Sequence, residues 1–460
     1  MPRPNRRALL EGGLATLTTL ATGPARSASE RPNILFIMAD DLGFADLSCY
    51  GRRDYRTPNI DRLASEGLLF HQAYANSAVC SATRTALLTG RYQYRFTAGL
   101  QEPIAFPGFK LPEDVTTLPG LLKRAGYRTS LIGKWHLGDV PDHGPLKHGY
   151  DRFFGVPGGG SDYFSHLYNP VGPPSAIDGL WEDDHRIEKT GYLTDLFGDR
   201  AVQEIAAHRK GAQPFFMSLH FTAPHWPWEG PQDEDISKRL KDIADNSGGN
   251  LAIFAAMMRS LDDNVGKVLR ALEHGGLARN TLVVFTSDNG GERFSDVWPL
   301  SGAKGELLEG GLRVPVLVRW PGRVRPGSRT DQVTITMDWL PTLLATAGVP
   351  LDGGSAMDGE NLLPTLTGRP QPHPRKLFWR YKAAEQAAVR DGDWKYLKLG
   401  GKEHLFNLAQ DERERAELKA AHPEILARLK ADFAAWNAAM LPYPAISTSY
   451  NPKATYADRY

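Results

Sequence analysis

The stretch that decides the fold reads Asn33-Ile34-Leu35-Phe36-Ile37-Met38, followed after one alanine by Asp40-Asp41. A short, almost continuously apolar run of this kind is typical of a strand buried on both faces of a sheet. Further strands are predicted, with helical stretches between them, over Pro214–Phe221, Thr281–Ser287 and Val314–Trp320. Strands that alternate with helices favour an α/β architecture with a largely parallel sheet.

Two helices have recognisable ends. Thr57 is predicted to cap a helix that begins at Pro58 and stops before Gly67, because threonine often caps first turns and proline suits the first helical position. A longer helical stretch over Met257–Glu273 is closed by Gly275-Gly276.

Composition limits the function classes. The chain has 460 residues, 41% of them apolar, enough for one large domain with a smaller one, or for two to three ordinary domains. The formal net charge is +1, and there is no basic patch with interleaved aromatic residues, so no nucleic-acid partner is expected. The two cysteines, Cys49 and Cys80, exclude a disulfide scaffold and a multi-cysteine zinc site. A single bridge between them stays possible in an exported protein.

Residues 1–29 are predicted to be an export signal. Asn5-Arg6-Arg7 precedes a mildly apolar run over Ala8–Ala21, and small residues from Ala25 to Ser29 suit a signal peptidase. The paired arginines favour a bacterial twin-arginine signal, and hence a periplasmic or secreted protein that begins near Glu30. A standard secretory signal with two adjacent arginines stays open. No other apolar run approaches ~20 residues, so no membrane span is expected.

The chain changes character near residue 370. Prolines at 370, 372 and 374 precede short alternating stretches over Lys376–Tyr381, Ala387–Arg390 and Lys395–Leu399, and an amphipathic helix is predicted over Pro423–Met440. We therefore expect a main domain over residues 30–370 and a small α+β subdomain over residues 371–460, packed on the main one.

Two polar pairs follow predicted strands. Asp40-Asp41 comes after the first strand, and Asp288-Asn289 comes after Thr281–Ser287. Ligands of open α/β sheets gather outside the carboxyl ends of strands, and adjacent carboxylates repel each other unless a cation lies between them. A helix cap or a tight turn is the alternative for either pair.

Cys80 opens a stretch with helical periodicity that ends at Gly90-Arg91. A group at a helix N-terminus meets unpaired N–H donors, which suits anion chemistry. Arg84, four residues on, would lie on the same helix face. The alternative is a buried structural cysteine.

Three further segments offer basic side chains. If the chain is extended through Lys134 and His136, their side chains point to the same face; surface positions are the alternative. His225 lies in a proline-rich loop and Lys304 in a glycine-rich one. Either loop alone is weak evidence of a site.

Together these segments resemble the sulfatase family. The stretch Cys80–Arg91 is similar to its signature C-x-[AP]-[ST]-R followed by x-x-L-L-T-G-R, and Gly126–Gly138 is similar to its second signature, G-Y-x-T-x-x-x-G-K-W-H-L-G. The resemblance is to the formylglycine-dependent (type I) kind, such as arylsulfatases and N-acetylgalactosamine-6-sulfatases, and it fades beyond about residue 320. It implies an alkaline-phosphatase-like α/β fold, with a large mixed sheet flanked by helices and a smaller C-terminal α+β subdomain.

The resemblance also implies a mechanism. Cys80 would be oxidised to formylglycine by a maturase, and the hydrate would attack the sulfur of a sulfate ester. Calcium suits an all-oxygen cage better than magnesium does, whereas a thiolate would be a poor partner for either ion. The metal ligands implied are Asp40, Asp41, Asp288, Asn289 and residue 80. Charged oxygens would be held by Arg84, Lys134 and Lys304, protons would be supplied by His225 or Lys304, and His136 would be the base.

The substrate stays open among aryl sulfates, sulfated monosaccharides and sulfated polysaccharides, with carbohydrate sulfates favoured. Ser161-Asp162 could border the substrate pocket, and Trp226 and Trp228 could stack on a substrate ring; a flexible loop and core packing are the alternatives. Two other functions compete: a phosphate or phosphonate ester hydrolase on the same fold, and an inactive protein that binds sulfated glycans.

Overall fold

A mixed sheet of ten strands lies at the centre of the computed structural model, which describes residues 31–105, 108–168, 178–209, 211, 213–239, 248–351, 357–368 and 373–451. The predicted export signal lies outside these residues. In spatial order the strands are β11 (Ser328–Thr330), β2 (Leu68–Phe70), β10 (Val316–Arg319), β9 (Thr281–Ser287), β1 (Asn33–Ala39), β8 (Phe215–His220), β4 (Arg128–Lys134), β5 (Arg152–Val156), β6 (Leu180–Glu182) and β7 (His185–Ile187).

The middle of this sheet is parallel. β1 pairs in parallel with both β8 and β9, and β4 pairs in parallel with β8 and β5. Met38 lies opposite His220 on one side and Thr286 on the other. The segments that follow these strands therefore leave the sheet at the same edge. β10 runs antiparallel to β9, which makes the sheet mixed, as the family resemblance implies.

β1 is buried on both faces, as its apolar run predicts. Leu35 and Ile37 pack into the core on one side of the sheet, while Ile34 and Phe36 pack into the core on the other. The first core includes α1 (Pro58–Ser65), α4 (Leu193–His208) and α6 (Leu251–His274); the second includes α3 (Leu118–Arg124) and α8 (Trp339–Ala347). None of the helices formed by the described residues is long and apolar enough to cross a membrane.

The predicted cap of α1 is wrong in its chemistry. Thr57 precedes the helix but accepts no hydrogen bond from it; its hydroxyl accepts one from the backbone N–H of Ser48 at 3.0 Å. The carboxylate of Asp262, on α6, accepts from the first-turn N–H groups of Asn59 and Ile60 at 3.1 and 2.8 Å. A side chain distant in sequence therefore takes over the cap.

The C-terminal part forms a four-stranded antiparallel sheet of β13 (Lys376–Tyr381), β14 (Gln386–Asp391), β15 (Trp394–Leu399) and β16 (Lys402–Asn407), covered by α10 (Pro423–Ala438). Three of these strands match the predicted stretches. β16 was not predicted, because four of its six residues are polar or charged. The remaining elements are β3 (Ala73–Tyr74), β12 (Thr334–Ile335), α2 (Cys80–Thr89), α5 (Glu234–Ser237), α7 (Glu309–Leu312) and α9 (Leu363–Leu366).

α2 lies between the main sheet and the C-terminal sheet. Its residues Leu87 and Leu88 belong to a core of the main sheet, whereas Ala82 and Ala86 share a core with Trp379 of β13. All ten residues of α2 are buried. This packing fixes the position of the helix and therefore of Cys80, its first residue.

Candidate active site

The two acidic pairs meet at the carboxyl edge of the sheet. Asp40 and Asp41 follow β1, and Asp288 and Asn289 follow β9. Because these strands are parallel and in register, the backbone N–H of Asp41 donates to the carboxylate of Asp288 at 3.3 Å. The side-chain N–H of Asn289 donates to the carboxylate of Asp41 at 2.7 Å. Groups separated by nearly 250 residues thus form one cluster.

Cys80 completes a cluster of buried ligand atoms. One such atom each from Asp40, Cys80 and Asp288 lies within 4.8 Å of the other two, and the same holds for Asp40, Asp41 and His225. The start of α2 therefore faces the acidic pairs directly.

The cluster fits a metal ion. Asp40 Oδ1 and Asn289 Oδ1 are buried and accept no hydrogen bond from the described residues, although buried acceptors are nearly always satisfied. Burial raises the pKa of Asp40 well above its usual value, and the carboxylates of Asp288 and Asp41 raise it further. Crowded carboxylates with unsatisfied oxygens are a donor set that a hard divalent cation satisfies.

Three buried cations surround the acidic cluster. Lys134 donates to Asp40, Lys304 donates to Asp41 at 2.7 Å, and Arg84 holds one oxygen of Asp288 with two N–H groups at 3.0 and 2.8 Å. Burial opposes ionisation of Asp41, but the nearby positive charges, that of Lys304 above all, outweigh it and lower its pKa to about 2. These are the three side chains that the family resemblance implies as holders of charged oxygens, and they lie at one place.

The two predicted histidines are both buried. The Nε2–H of His136 donates to the carbonyl of Ile104 at 2.8 Å, which leaves Nδ1 as the acceptor nitrogen; it is buried and without a hydrogen-bond partner in the described part of the chain. In His225 the Nδ1–H donates to the carbonyl of Trp226 at 2.5 Å, and Nε2 lies 3.6 Å from the carboxylate of Asp41. Burial lowers the pKa of both histidines well below the usual value, with Lys134 the next cause for His136 and Lys304 for His225.

His136 does not lie on an extended strand. β4 ends at Lys134, and His136 has a left-handed backbone, with φ 62°. The extended chain on which the shared strand face depends is therefore not formed, although both side chains reach the site. A Cβ on Gly159 would lie 2.5 Å from the His136 ring, so the glycine leaves room for this histidine.

Cys80 is a buried thiol. It is 1% exposed, and burial raises its pKa to about 11. The hydroxyl of Thr83, a residue of the same signature, stabilises the loop that precedes Cys80. This hydroxyl accepts from the backbone N–H of Ser77 at 2.9 Å and donates to the carbonyl of Ser77 at 3.1 Å. Cys49 and Cys80 are both free, so the bridge that stayed open does not form.

Three side chains at the site were missed in the sequence. His220 Nδ1 accepts from Arg84 at 3.3 Å; it ends β8, so the strand-end rule could have found it. Glu292 lies 3.8 Å from Lys304, and the hydroxyl of Tyr450 donates to Glu292. Neither Glu292 nor Tyr450 lies in a recognisable motif.

Two of the other predicted pocket residues, Asp162 and Trp228, have structural contacts. The carboxylate of Asp162 accepts from the N–H groups of Phe164 and Ser165 and from the hydroxyl of Ser237, at 2.6 to 2.9 Å. Trp228 is 5% exposed and packs on Phe294. Asp162 and Trp228 therefore stabilise loops of this region.

Comparisons with known proteins agree with this geometry. The model of the sulfatase family matches residues 32–349, and that of the C-terminal part of N-sulphoglucosamine sulphohydrolase matches residues 303–437. The chain belongs to the sulfatase family. It is a sulfuric ester hydrolase with the alkaline-phosphatase-like fold, as the resemblance implied.

This sulfatase is similar to N-acetylgalactosamine-6-sulfatase of Rattus norvegicus, with 34% identity over 83% of this chain and 73% of the relative. A crystal structure of Ps i-CgsB in complex with k-i-k-neocarrahexaose superimposes with a TM-score of 0.82 and 32% identity, over 91% of this chain and 95% of that one. The phosphonate monoester hydrolase of Agrobacterium radiobacter superimposes with a TM-score of 0.65 and 21% identity, over 89% and 96% of the two chains. That last likeness concerns the fold alone.

Proposed function

We propose that this sulfatase hydrolyses aryl or carbohydrate sulfates with residue 80 as the nucleophile, after a maturase has oxidised Cys80 to formylglycine. The observation that carries the proposal is the position of Cys80. It is the buried first residue of α2, and its sulfur lies within 4.8 Å of ligand atoms of Asp40 and Asp288. A reactive group there would face both the acidic cluster and the cations.

An unmodified thiol suits this place poorly. With a pKa of about 11, Cys80 is protonated at neutral pH, and a protonated thiol is a weak nucleophile. Sulfur is also a poor ligand for hard divalent ions. A formylglycine hydrate would instead supply an oxygen for attack on sulfur. Since Cys80 is 1% exposed, oxidation would have to precede folding.

The cation is proposed to be Ca²⁺ rather than Mg²⁺, since calcium accepts ~6–8 oxygen ligands in loose geometry. Asp40, Asp41, Asp288 and Asn289 would hold it beside residue 80. When bound, it would polarise the oxygen of residue 80 and orient the sulfate group.

The charges of the site favour a monoanionic ester. The buried carboxylates are Asp40, Asp41, Asp288 and Glu292, and the buried cations are Arg84, Lys134 and Lys304. With all of them ionised, these groups carry one net negative charge. A divalent ion changes this to one positive charge, which a sulfate monoester neutralises. A phosphate monoester, with up to two negative charges, would leave an uncompensated charge in a buried site, which is costly.

The remaining side chains divide the work of holding oxygens and moving protons. Arg84, Lys134 and Lys304 would hold the charged sulfate oxygens. As the sulfur–oxygen bond breaks, its electron pair stays on the bridging oxygen, which takes a proton and leaves as an alcohol. Burial opposes the charge on Lys304, but Asp41 and Glu292 raise its pKa well above the usual value. Lys304 is therefore the charged donor, whereas His225 is neutral.

His136 is the proposed base. Its hydrogen bond to Ile104 fixes the proton on Nε2, so Nδ1 has the free lone pair. The lowered pKa of His136 keeps that nitrogen unprotonated at neutral pH. It would take the proton of the second hydroxyl of the residue 80 hydrate. The electron pair left on that oxygen forms the carbonyl bond, the carbon–oxygen bond to the sulfate breaks, and sulfate leaves with the electron pair of the broken bond, so that residue 80 returns to the aldehyde.

The wider setting is proposed from the same pattern. The oligosaccharide named in the Ps i-CgsB complex supports a carbohydrate sulfate as the substrate. Residues 1–29 would direct export to the bacterial periplasm or the medium, residues 30–370 would form the catalytic domain, and residues 371–460 would complete it.

The proposal is tested in protein coexpressed with a formylglycine-generating maturase. Mass spectrometry of the peptide that contains residue 80 should show the aldehyde, and 4-nitrophenyl sulfate should be cleaved faster than 4-nitrophenyl phosphate. Cys80→Ala should abolish turnover, whereas Cys49→Ala, at the other free cysteine, should keep it. An unmodified Cys80 in an active enzyme would refute the mechanism. Faster phosphate or phosphonate cleavage, or glycan binding without turnover, would favour the competing functions.

A further inference from the structure

The segment after α10 runs back to the active site. We call residues 442–451 the C-terminal strap. It lies beside residues 101–104, with Ser449 paired in parallel to Glu102. The N–H of Glu102 donates to the carbonyl of Thr448 at 3.1 Å, and the N–H of Tyr450 donates to the carbonyl of Glu102 at 2.5 Å. The strap is therefore bonded to the protein in the manner of a short edge strand.

The carboxylate of Glu102 binds two residues of the strap. It is fully buried and accepts from the hydroxyls of Tyr443 at 2.6 Å and Ser449 at 2.9 Å. Two residues further on, the N–H of Ile104 donates to the hydroxyl of Ser81 at 2.9 Å, and its carbonyl holds His136. The strap thus rests on the segment that contacts both the neighbour of Cys80 and the proposed base.

The strap ends with a tyrosine against Lys304. The Nζ of Lys304 lies 5.3 Å from the centre of the Tyr450 ring, within the range of a cation–π contact. The Tyr450 hydroxyl donates to Glu292, whose carboxylate lies 3.8 Å from the same Nζ. Ring, carboxylate and Asp41 together surround the ammonium group of Lys304, which is 2% exposed.

We propose that Tyr450, near the end of the C-terminal strap, is a positioning residue for Lys304. This inference rests on the proposed role of Lys304 as proton donor to the bridging oxygen. An ammonium group held between an aromatic face and two carboxylates loses rotamer freedom and keeps its N–H groups directed. The contribution should matter most for unactivated alcohols such as sugars, because their leaving oxygen needs the proton.

The test compares two substrates in four proteins: wild type, Tyr450→Ala, Tyr450→Phe and Lys382→Met. Lys382 binds the strap at Ser447 from the exposed side, at 2.5 and 2.9 Å, and is the matched control. The substrates are 4-nitrophenyl sulfate, whose leaving group needs little protonation, and a monosaccharide 6-sulfate. Thermal unfolding and the oxidation state of residue 80 are measured for each protein.

Tyr450→Ala should lower kcat on the sugar sulfate by about tenfold, the loss expected for a partly desolvated cation–π contact, with little change on the nitrophenyl ester. Tyr450→Phe, which keeps the ring, should restore most of this kcat, and Lys382→Met should resemble wild type. Equal losses on both substrates, no loss, or a change confined to KM would overturn the inference. A wild-type protein with oxidised residue 80 that releases sulfate from neither substrate nor from sulfated polysaccharides would instead refute the proposed function, and this inference with it.

Discussion

The charge on Glu292 should help decide how strongly the site prefers a sulfate ester over a phosphate ester. Glu292 is 7% exposed and belongs to no recognisable sequence motif. Glu292→Gln keeps the shape of the side chain and an oxygen that can accept from Tyr450, but removes the negative charge of the ionised carboxylate. Burial raises the pKa of Glu292, and the charge of Lys304 opposes that rise. Without the charge of Glu292, the site repels the second negative charge of a phosphate ester less strongly.

The magnitude follows from the distances. The Glu292 carboxylate lies 3.8 Å from the Nζ of Lys304, and the Asp41 carboxylate lies 2.7 Å from the same Nζ. An ester anion held by Lys304 would lie roughly 7 Å from Glu292, where a unit charge pair at an effective dielectric of about 20 interacts by roughly 2 kcal/mol. The additional charge of a phosphate monoester should therefore make the sulfate-to-phosphate ratio of kcat/KM fall by roughly tenfold or more in the variant.

The assay measures kcat/KM for 4-nitrophenyl sulfate and 4-nitrophenyl phosphate at neutral pH. The control is Glu385→Gln, which removes the same charge at a side chain that is 81% exposed. The control should leave the ratio unchanged, because solvent screens that charge. A ratio that stays constant or rises in Glu292→Gln would refute the charge argument.

Three further predictions concern stability. Lys395→Met should lower the free energy of unfolding by about 3 kcal/mol, because Glu309 and Glu414, each 2.8 Å from Lys395, lose their shared buried cation. A denaturant titration measures this loss. Lys398→Met, at a half-exposed side chain, is the control and should change the free energy of unfolding little. Thr83→Val should lower the melting temperature because it removes both hydrogen bonds to Ser77, whereas Thr83→Ser should keep a melting temperature close to that of the wild type. Equal melting temperatures in the two variants would contradict a stabilising role of these hydrogen bonds. Burial raises the pKa of Glu102 from 4.5 to about 7, so the native state binds the additional proton and stability should fall by about 3 kcal/mol as pH rises through that range. Glu102→Gln should weaken the pH dependence of the free energy of unfolding. An unchanged pH profile in this variant would argue against the assignment to Glu102.

Much of the fold could be predicted because its signals are local. β1 is an almost continuously apolar run and β9 has an apolar centre over Leu282–Phe285, and their bounds differ from the prediction by one residue or none. Parallel pairing then brings Asp40 and Asp288 to one edge, which follows from the general position of ligand sites in open α/β sheets. The family signatures added Arg84 and Lys134, whose contacts with those carboxylates no spacing rule could supply.

The remaining features depend on contacts between distant segments. Asp262 replaces Thr57 as the cap of α1 across more than 200 residues. Tyr450 reaches Glu292 across 158 residues, and nothing near either residue in the sequence indicates that they meet. His136 has a left-handed backbone, and its ring lies against Gly159, which is distant in sequence. Tertiary contacts of this kind override local preference and have no periodic signal.

The most direct test of the central claim is a crystal structure of the mature enzyme grown with Ca²⁺. We expect one ion bonded to oxygens of Asp40, Asp41, Asp288 and Asn289, and to an oxygen on residue 80, at roughly 2.3–2.6 Å. An ion bound elsewhere, or an unmodified Cys80 beside it in an active crystal, would contradict the account.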